Sequence, residues 1–494
     1  MRTRSSAALL TLLTFLTGCS DTAQLDSPNV VLLIVDDLGW MDTGVYGSEF
    51  YDTPNVDRLA ASGALFTQFY AASPVCSPTR VSIMTGKHPA RLHLTNWIGG
   101  EQKGKLLPAD YLRQLPLEEV TIAEAFKEAG YATAYVGKWH LGEEPYLPES
   151  QGFDVNIAGH GAGQPGSYFY PYVNERLPWS NVPGLEGGEQ GEYLTDRLTD
   201  EALSFIADNR DRPFFLVLSH YAVHTPLQAK ASIVSEYQEQ SRRLADKDTP
   251  LFKPEGVAAT TKTRQDHAVY AAMMRSTDES VGRVLGKLEE LEIDRRTILV
   301  FTSDNGGLST LSGTRTDMPT ANLPLRAGKG WLYEGGIRVP LLVAWPGVIE
   351  PGIAVEEPTM STDLYPTLLE MAGLKRRPEQ HLDGISLAPL LESVRMLDRD
   401  REALFWHFPH YHGSGNTPSG AVRYADYKLV EWFETGDLEL YDLARDIGES
   451  HNLVEEKADV ARQLHMLLQR WRNEVDALMP TSNPDWDASR EERQ

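Results

Sequence analysis

The chain has 494 residues, too many for one small core, so a large domain with a smaller companion is the expected division. Hydrophobic residues make up 41% of it, enough for a sizeable core. The formal net charge of -24 argues against a nucleic-acid partner, because phosphate backbones need clustered Lys and Arg.

Arg2 and Arg4 precede an apolar run, Ala7 to Leu16, that is too short to span a bilayer. The run ends in Leu16-Thr17-Gly18-Cys19, which resembles the lipobox of bacterial lipoproteins. The resemblance implies that residues 1–18 are a signal peptide and that Cys19 is lipidated, anchoring the protein to a membrane. Ser20 stands where aspartate would signal inner-membrane retention, so the outer membrane or cell surface is the expected address. An ordinary secreted leader with a chance cysteine is the alternative. The only other cysteine is Cys76, so no disulfide is expected even in an exported protein.

Asn29 to Val35 is a continuous, β-branched apolar run, as expected of a strand buried on both faces. It stops at Asp36-Asp37, two adjacent carboxylates that repel unless a cation lies between them. Such pairs at the C-terminal ends of parallel strands sit where α/β sheets place their sites. Thr53 to Ala60 reads as a turn entering a helix, with Pro54 in its first turn. Leu65 to Tyr70 reads as a strand, and Arg80 to Met84 as a helix start that leaves Cys76 near a helix N-terminus. Val120 to Glu128 is an amphipathic helix and Tyr131 to Val136 a strand leading into Lys138-Trp139-His140. Gly159 to Tyr172 is a glycine-rich aromatic loop. The strand Pro213 to Ser219 runs into His220 and then His224-Thr225-Pro226, and His220 is read as structural. Gln228 to Thr263 reads as a polar surface excursion, and Ala271 to Leu291 as a long helix. Thr297 to Thr302 is a strand ending in Asp304-Asn305-Gly306, an echo of the first acidic strand end. Leu325 to Pro340, which contains Lys329, leads into a strand from Leu341 to Trp345, and Ser361 to Thr367 starts a helix. From about Arg401 short strands follow: Glu402 to His407, Ala421 to Arg423, Tyr427 to Phe433 and Leu438 to Asp442. A helix from about Glu455 to Leu478 comes after them. His407, His410 and His412 cluster in one loop, without an evident fourth metal ligand nearby.

The stretch Pro74 to Gly86, centred on Cys76-Ser77-Pro78-Thr79-Arg80, resembles the maturation site of the type I, formylglycine-dependent sulfatases of the alkaline-phosphatase-like superfamily. The run Gly-Tyr-Ala-Thr-Ala-Tyr-Val-Gly-Lys-Trp-His, ending at His140, resembles the second signature of that family. The resemblance covers nearly all of the chain after the leader. It implies an α/β fold, a large, mostly parallel central sheet with helices on both faces, and a small C-terminal antiparallel sheet with a packed helix. The expected division is a catalytic domain over residues 19–400, an α+β subdomain over 401–480 and a polar tail over 481–494.

The resemblance also implies chemistry. Cys76 would be oxidised by a formylglycine-generating enzyme to 3-oxoalanine (formylglycine), whose hydrate is a geminal diol. Asp36, Asp37, Asp304 and Asn305, with residue 76, would hold Ca²⁺ in preference to Mg²⁺; a set of oxygens suits either and is poor for Zn²⁺. One diol hydroxyl would attack sulfur, with Arg80 and Lys138 orienting the diol. His224 and Lys329 are candidates at the leaving oxygen, and His140 is the candidate base for the second hydroxyl, whose deprotonation expels sulfate. The expected activity is hydrolysis of sulfate monoesters on a sulfated carbohydrate. The alternatives are a phosphate mono- or diester hydrolase of the same superfamily, and a glycan-binding lipoprotein with unconverted Cys76.

Overall fold

The first strand shows how the molecule is layered. Asn29–Val35 is buried at every residue. Because strand side chains alternate, Val31, Leu33 and Val35 enter one hydrophobic core while Val30, Leu32 and Ile34 enter another on the opposite face. The structure, a computed structural model, describes residues 27–244, 250–256, 258–391 and 401–487. The leader, with Cys19, lies outside the described residues.

The central sheet has eight strands: β1 (Asn29–Val35), β2 (Ala64–Phe66), β3 (Ala132–Gly137), β4 (Val155–Ile157), β5 (Phe214–His220), β6 (Thr297–Ser303), β7 (Leu341–Ala344) and β8 (Ile353–Val355). Their spatial order is β8-β2-β7-β6-β1-β5-β3-β4. The run from β6 through β1, β5 and β3 to β4 is parallel throughout. β7 is antiparallel to both β6 and β2, and β8 returns to a parallel pairing with β2.

The principal helices are α1 (Pro54–Ala61), α2 (Cys76–Thr85), α3 (Ile122–Glu128), α4 (Leu194–Asp208), α5 (Ala231–Leu244), α6 (Ala268–Glu290), α7 (Leu364–Met371) and α8 (Ala458–Glu474). Leu198 and Phe205 of α4 pack with Val281 and Val284 of α6 on one face of the sheet. Val81 and Ile83 of α2, Phe126 of α3 and Leu368 of α7 pack on the other. A sheet covered on both faces needs near-continuous apolar strands, which is what β1, β5 and β6 supply. Every residue of α2 is buried, so this helix runs through the core rather than over it.

The C-terminal sheet is antiparallel: β9 (Leu404–Phe408), β10 (Ser419–Tyr424), β11 (Tyr427–Trp432) and β12 (Leu438–Asp442). Leu464, Leu468 and Trp471 of α8 cover one face, meeting Val422, Leu429 and Leu440. The other face, with Trp406, Ala421 and Val430, packs on Tyr70, Trp331 and Tyr333 of the larger body. A buried ion cluster crosses the same junction. Lys428 Nζ lies 3.0 Å from Glu334 Oε1 and 2.9 Å from Glu449 Oε1. The Tyr70 hydroxyl donates to Glu334 Oε2 at 2.7 Å.

Several local expectations change. The Leu65–Tyr70 strand is two strands, because Phe69–Tyr70 leaves the main sheet to pair with Thr359–Met360. The segment read as a polar excursion contains α5 and two strands, Phe252–Glu255 and Ala259–Lys262, that form a small antiparallel sheet with Thr310–Ser312. Only a few apolar side chains such as Ile233 and Tyr237 anchor α5, so average polarity hid its helical stripe. A short pairing not expected from the sequence joins Thr481–Ser482 to Leu106–Leu107. Helix α2 begins at Cys76 rather than Arg80.

Candidate active site

Strand register assembles the site. Val35 lies beside both Ser303 and His220, and Gly137 lies beside Ser219. The residues that follow, Asp36-Asp37, Asp304-Asn305 and Lys138, therefore leave the sheet at one edge and converge. Glycine is required just before Lys138. Gly137 has φ of 106°, and a Cβ there would lie 1.9 Å from the Ser219 carbonyl oxygen. Asp37 and His140 also occupy the left-handed region, with φ of 59° and 57°, a strained state for side chains other than glycine that clusters at functional sites.

Cys76 is the first residue of α2, where unpaired backbone N–H groups favour negative charge. Its Sγ lies 3.8 Å from Asp36 Oδ1 and 3.4 Å from Lys329 Nζ. Lys329 arrives from the segment before β7, and its Nζ is 2.6 Å from Asp37 Oδ1. That segment is tied to the cysteine loop by the Gly330 N–H, which donates to the Pro74 carbonyl at 2.8 Å. Lys138 Nζ contacts Asp36 Oδ2 at 2.5 Å. Arg80, one turn along α2, donates from Nε to Asp304 Oδ2 at 2.8 Å and from Nη1 to the Lys138 carbonyl at 2.7 Å and Ser219 Oγ at 2.8 Å. Its Nη2 is buried without a partner among the described residues.

The two histidines differ in what they hold. His224 Nδ1 lies 2.8 Å from the Thr225 carbonyl oxygen, so the neutral ring donates there and turns its Nε2 lone pair toward Asp37 Oδ2, 3.6 Å away. His140 Nε2 lies 3.3 Å from the Ile98 carbonyl, and its Nδ1 is buried without a partner among the described residues.

Charge is tightly balanced. Burial pushes the Asp36 carboxyl well above the usual range against the pull of Lys138. Burial acts the same way on Asp37 and Asp304, but Lys329 holds Asp37 low and Arg80 holds Asp304 low. Burial pushes the Cys76 thiol up to about 12, so the unmodified side chain is a neutral thiol and a poor nucleophile. Burial, then Lys329, brings His224 down to about 3, and burial, then Lys138, holds His140 well below its usual value. Burial opposes charge on Lys329 too, but Asp37 raises its ammonium well above the ordinary lysine range.

The donor set fits a hard divalent cation. Asn305 Nδ2 donates to Asp37 Oδ1 at 2.8 Å, while its Oδ1 is buried with no hydrogen-bond partner among the described residues. An orphaned amide oxygen beside three buried carboxylates is the environment such a cation satisfies. Asp36, Cys76 and Asp304 form one group with ligand atoms within 4.8 Å of one another, and Asp37, Cys76 and His224 form a second.

Direct contacts therefore join Asp36, Asp37, Cys76, Arg80, Lys138, His224, Asp304, Asn305 and Lys329, whereas His140 is held by the Ile98 carbonyl with Lys138, Arg80 and His224 acting on it electrostatically, and Cys19 lies outside the described residues. The histidine cluster does not act as a unit. His407 Nε2 lies 2.9 Å from the Leu478 carbonyl and His410 Nε2 lies 2.8 Å from Thr95 Oγ1, whereas His412 packs on Gly330 beside Lys329. His220 is structural, with Nε2 2.9 Å from Ser280 Oγ. The sequence reading missed Ser219 and Tyr135, which brace Arg80 and the Lys138 carbonyl; a serine or tyrosine inside a strand carries no signal of that role.

A sequence model described as Sulfatase matches residues 28–374, and one described as N-sulphoglucosamine sulphohydrolase, C-terminal, matches residues 327–474. A protein named Sulfatase from Formosa agariphila is 31% identical, over 90% of this chain and 88% of its own. The N-acetylgalactosamine-6-sulfatase of Mus musculus is 33% identical, over 86% of this chain and 76% of its own. The crystal structure of Ps i-CgsB in complex with k-i-k-neocarrahexaose superposes with a TM-score of 0.72 at 27% identity, covering 94% of this chain and 96% of that one.

Proposed function

Since the chain belongs to the sulfatase family and is a sulfate-ester hydrolase, we propose that it acts on a sulfated carbohydrate through a formylglycine made from Cys76 beside a bound Ca²⁺. The observation that carries this reading is the position of Cys76 Sγ, 3.4 Å from Lys329 Nζ and 3.8 Å from Asp36 Oδ1. Residue 76 thus faces both a sulfate-attracting cation and a carboxylate suited to metal. A thiol held neutral by burial is a weak nucleophile, which favours a modified side chain. When hydrated, an aldehyde at position 76 supplies two hydroxyls on one carbon, one to attack sulfur and one to drive release of sulfate. When bound, Ca²⁺ supplies a Lewis acid among Asp36, Asp37, Asp304 and Asn305.

The remaining residues bind charge and move protons. Lys138 and Arg80 offset the carboxylates, and Arg80 Nη2, without a partner among the described residues, is left to donate to an oxygen on residue 76. Lys329 carries its proton at rest, so it is the group to stabilise or protonate the leaving oxygen. His224 is neutral at rest and offers its Nε2 lone pair, so it accepts a proton or hydrogen bond before it can donate one. With Nε2–H directed at the Ile98 carbonyl, His140 keeps an Nδ1 lone pair for the second hydroxyl.

The carbohydrate assignment is supported by the named substrate of the mouse relative and by the neocarrahexaose in the complex of Ps i-CgsB. A formylglycine-generating enzyme would mature Cys76. The Leu16-Thr17-Gly18-Cys19 sequence supports export and lipid anchoring through Cys19 at the cell envelope, at the outer membrane or cell surface. The test is release of sulfate and of phosphate by protein co-produced with a maturation enzyme. The substrates are sulfated galactans, glycosaminoglycan fragments, an aryl sulfate and an aryl phosphate diester. Sulfate from one glycan class, absent in Cys76→Ala, is the expected result; dominant phosphate release overturns the reading.

A further inference from the structure

One histidine of the C-terminal loop reaches the catalytic lysine's segment, and nothing in the reaction described above uses it. His412 follows β9, but its ring lies against the Gly330 backbone. A Cβ on Gly330 would be 2.2 Å from His412 Nδ1 and 2.5 Å from Ser414 Oγ. Gly330 has φ of 87°, so glycine serves two needs here: a left-handed backbone and room for the ring. The preceding residue is Lys329, whose Nζ is 3.4 Å from Cys76 Sγ.

The ring is oriented. His412 Nδ1 accepts from the Ser414 N–H at 3.2 Å and lies 2.9 Å from Ser414 Oγ. Ser414 is itself pinned, because Trp331 Nε1 donates to its carbonyl at 3.1 Å. With Nδ1 accepting, the proton of the neutral ring is on Nε2. Nε2 makes no hydrogen bond among the described residues, and the side chain is only partly buried, so this donor is left for a ligand. Burial, then the Lys329 ammonium, holds the ring neutral, so it presents one N–H rather than a second positive charge. The loop has little freedom to swing away. His410 is held by Thr95, the Tyr411 hydroxyl accepts from the Leu106 N–H at 2.9 Å, and the Gly413 carbonyl accepts from the Ser312 N–H at 3.2 Å.

We propose that His412 Nε2–H is a specificity contact, donating to a hydroxyl or ring oxygen of the sugar that carries the sulfate ester, next to the leaving oxygen held by Lys329. A neutral donor suits this place. A second cation would compete with Lys329 for sulfate, whereas a neutral N–H reads the uncharged oxygens of a sugar. The inference rests on the carbohydrate reading given above.

The experiment compares wild type, His412→Ala and His412→Gln, all matured, on sulfated galactan oligosaccharides, glycosaminoglycan fragments and 4-nitrophenyl sulfate. Melting temperatures keep loss of fold out of the comparison. Losing one such hydrogen bond should lower kcat/KM of His412→Ala on the cleaved oligosaccharide by about tenfold, chiefly through KM. The aryl sulfate has no sugar oxygens and should stay within about twofold. His412→Gln keeps an N–H at similar reach and should recover part of the loss. Equal losses on both substrates would mean the ring only props Lys329, and no loss on either would mean it touches nothing; each overturns the inference. A wild type that cleaves the aryl sulfate but no oligosaccharide overturns the carbohydrate reading instead, and this inference with it.

Discussion

Lys138 Nζ lies 2.5 Å from Asp36 Oδ2, and both side chains are fully buried. Neither group is solvated, and because burial pushes the Asp36 carboxyl up, its ionised form depends on Lys138. Removing one partner of such a pair typically costs about 3–5 kcal/mol, because the survivor is left uncompensated. Lys138→Met should therefore destabilise calcium-free protein by about 3 kcal/mol at neutral pH. Excess Ca²⁺ should return part of that, since the cation would take over the charge of Asp36. Activity should fall at least about a hundredfold, because the field at residue 76 loses a cation. Urea unfolding with and without Ca²⁺ checks the first two outcomes; a loss that Ca²⁺ leaves unchanged would count against a metal at Asp36.

Asn305 Oδ1, buried without a hydrogen-bond partner among the described residues, gives a second test of the proposed cation. Wild type should melt higher with Ca²⁺ than with chelator; ligand at about a hundred times Kd adds about 2.7 kcal/mol. Asn305→Leu keeps the bulk but removes the oxygen. It should weaken Ca²⁺ binding by about tenfold or more, as read by calorimetry. Zn²⁺ should not substitute, because the set is oxygen-rich. Unchanged Ca²⁺ affinity in Asn305→Leu would place the cation elsewhere.

Cys76, Arg80, Lys329 and the roles of the rest were legible through the resemblance to sulfatases, while the places of the acidic pairs were legible because buried parallel strands advertise themselves. Val30 to Val35, Phe214 to Leu218 and Ile298 to Phe301 are apolar throughout, so their ends, where polar residues begin abruptly, were visible in sequence. The polar residues at those ends then met through register alone. The start of α2 was not legible. Its first turn is Cys76-Ser77-Pro78-Thr79, with no side-chain cap, and it is held by burial on all sides rather than by a local signal. The strands Phe252–Glu255 and Ala259–Lys262 were missed because most of their residues are polar and no apolar alternation marks them. His412 could not be separated from His407 and His410 because its role depends on Gly330, a contact 82 positions away in the chain.

Gly137 is a position where one methyl group should matter. A Cβ would lie 1.9 Å from the Ser219 carbonyl oxygen, part of the strand pairing itself, and φ is 106°. Gly137→Ala should cost about 2 kcal/mol or more and push Lys138 away from Asp36. Activity should fall further than stability explains when both are measured at a temperature where the variant is folded. Full activity in a folded Gly137→Ala would show that Lys138 tolerates displacement.

The junction cluster carries a pH signature. Burial raises the Glu449 carboxyl to about 7, against the pull of Lys428, while Glu334 beside it stays low through Lys428 and Arg338 despite its burial. A raised carboxyl means the folded protein binds a proton that the unfolded chain releases. The resulting stability is present below the ordinary glutamate range and is lost as pH rises through about 7. Glu449→Gln mimics the neutral form at every pH. It should match wild type near pH ~4.5 and become relatively more stable toward pH ~8. Paired thermal melts across that range test this; a constant offset between the two proteins would mean Glu449 does not titrate there.

Replacing Cys76 separates the steps of the reaction. Cys76→Ala removes the group proposed to react but leaves a small side chain in a buried first turn, so fold and Ca²⁺ binding should survive while turnover vanishes. Cys76→Ser is more informative. Its single hydroxyl, facing Lys329 and the acidic cluster, can attack sulfur and release the alcohol, but no second hydroxyl remains to drive sulfate off. The variant should release at most one equivalent of alcohol per protein and no free sulfate. The sulfuryl group should stay on the peptide containing residue 76, where mass spectrometry detects it. Catalytic turnover by Cys76→Ser at a rate near that of wild type would mean that water attacks sulfur directly, with residue 76 a bystander.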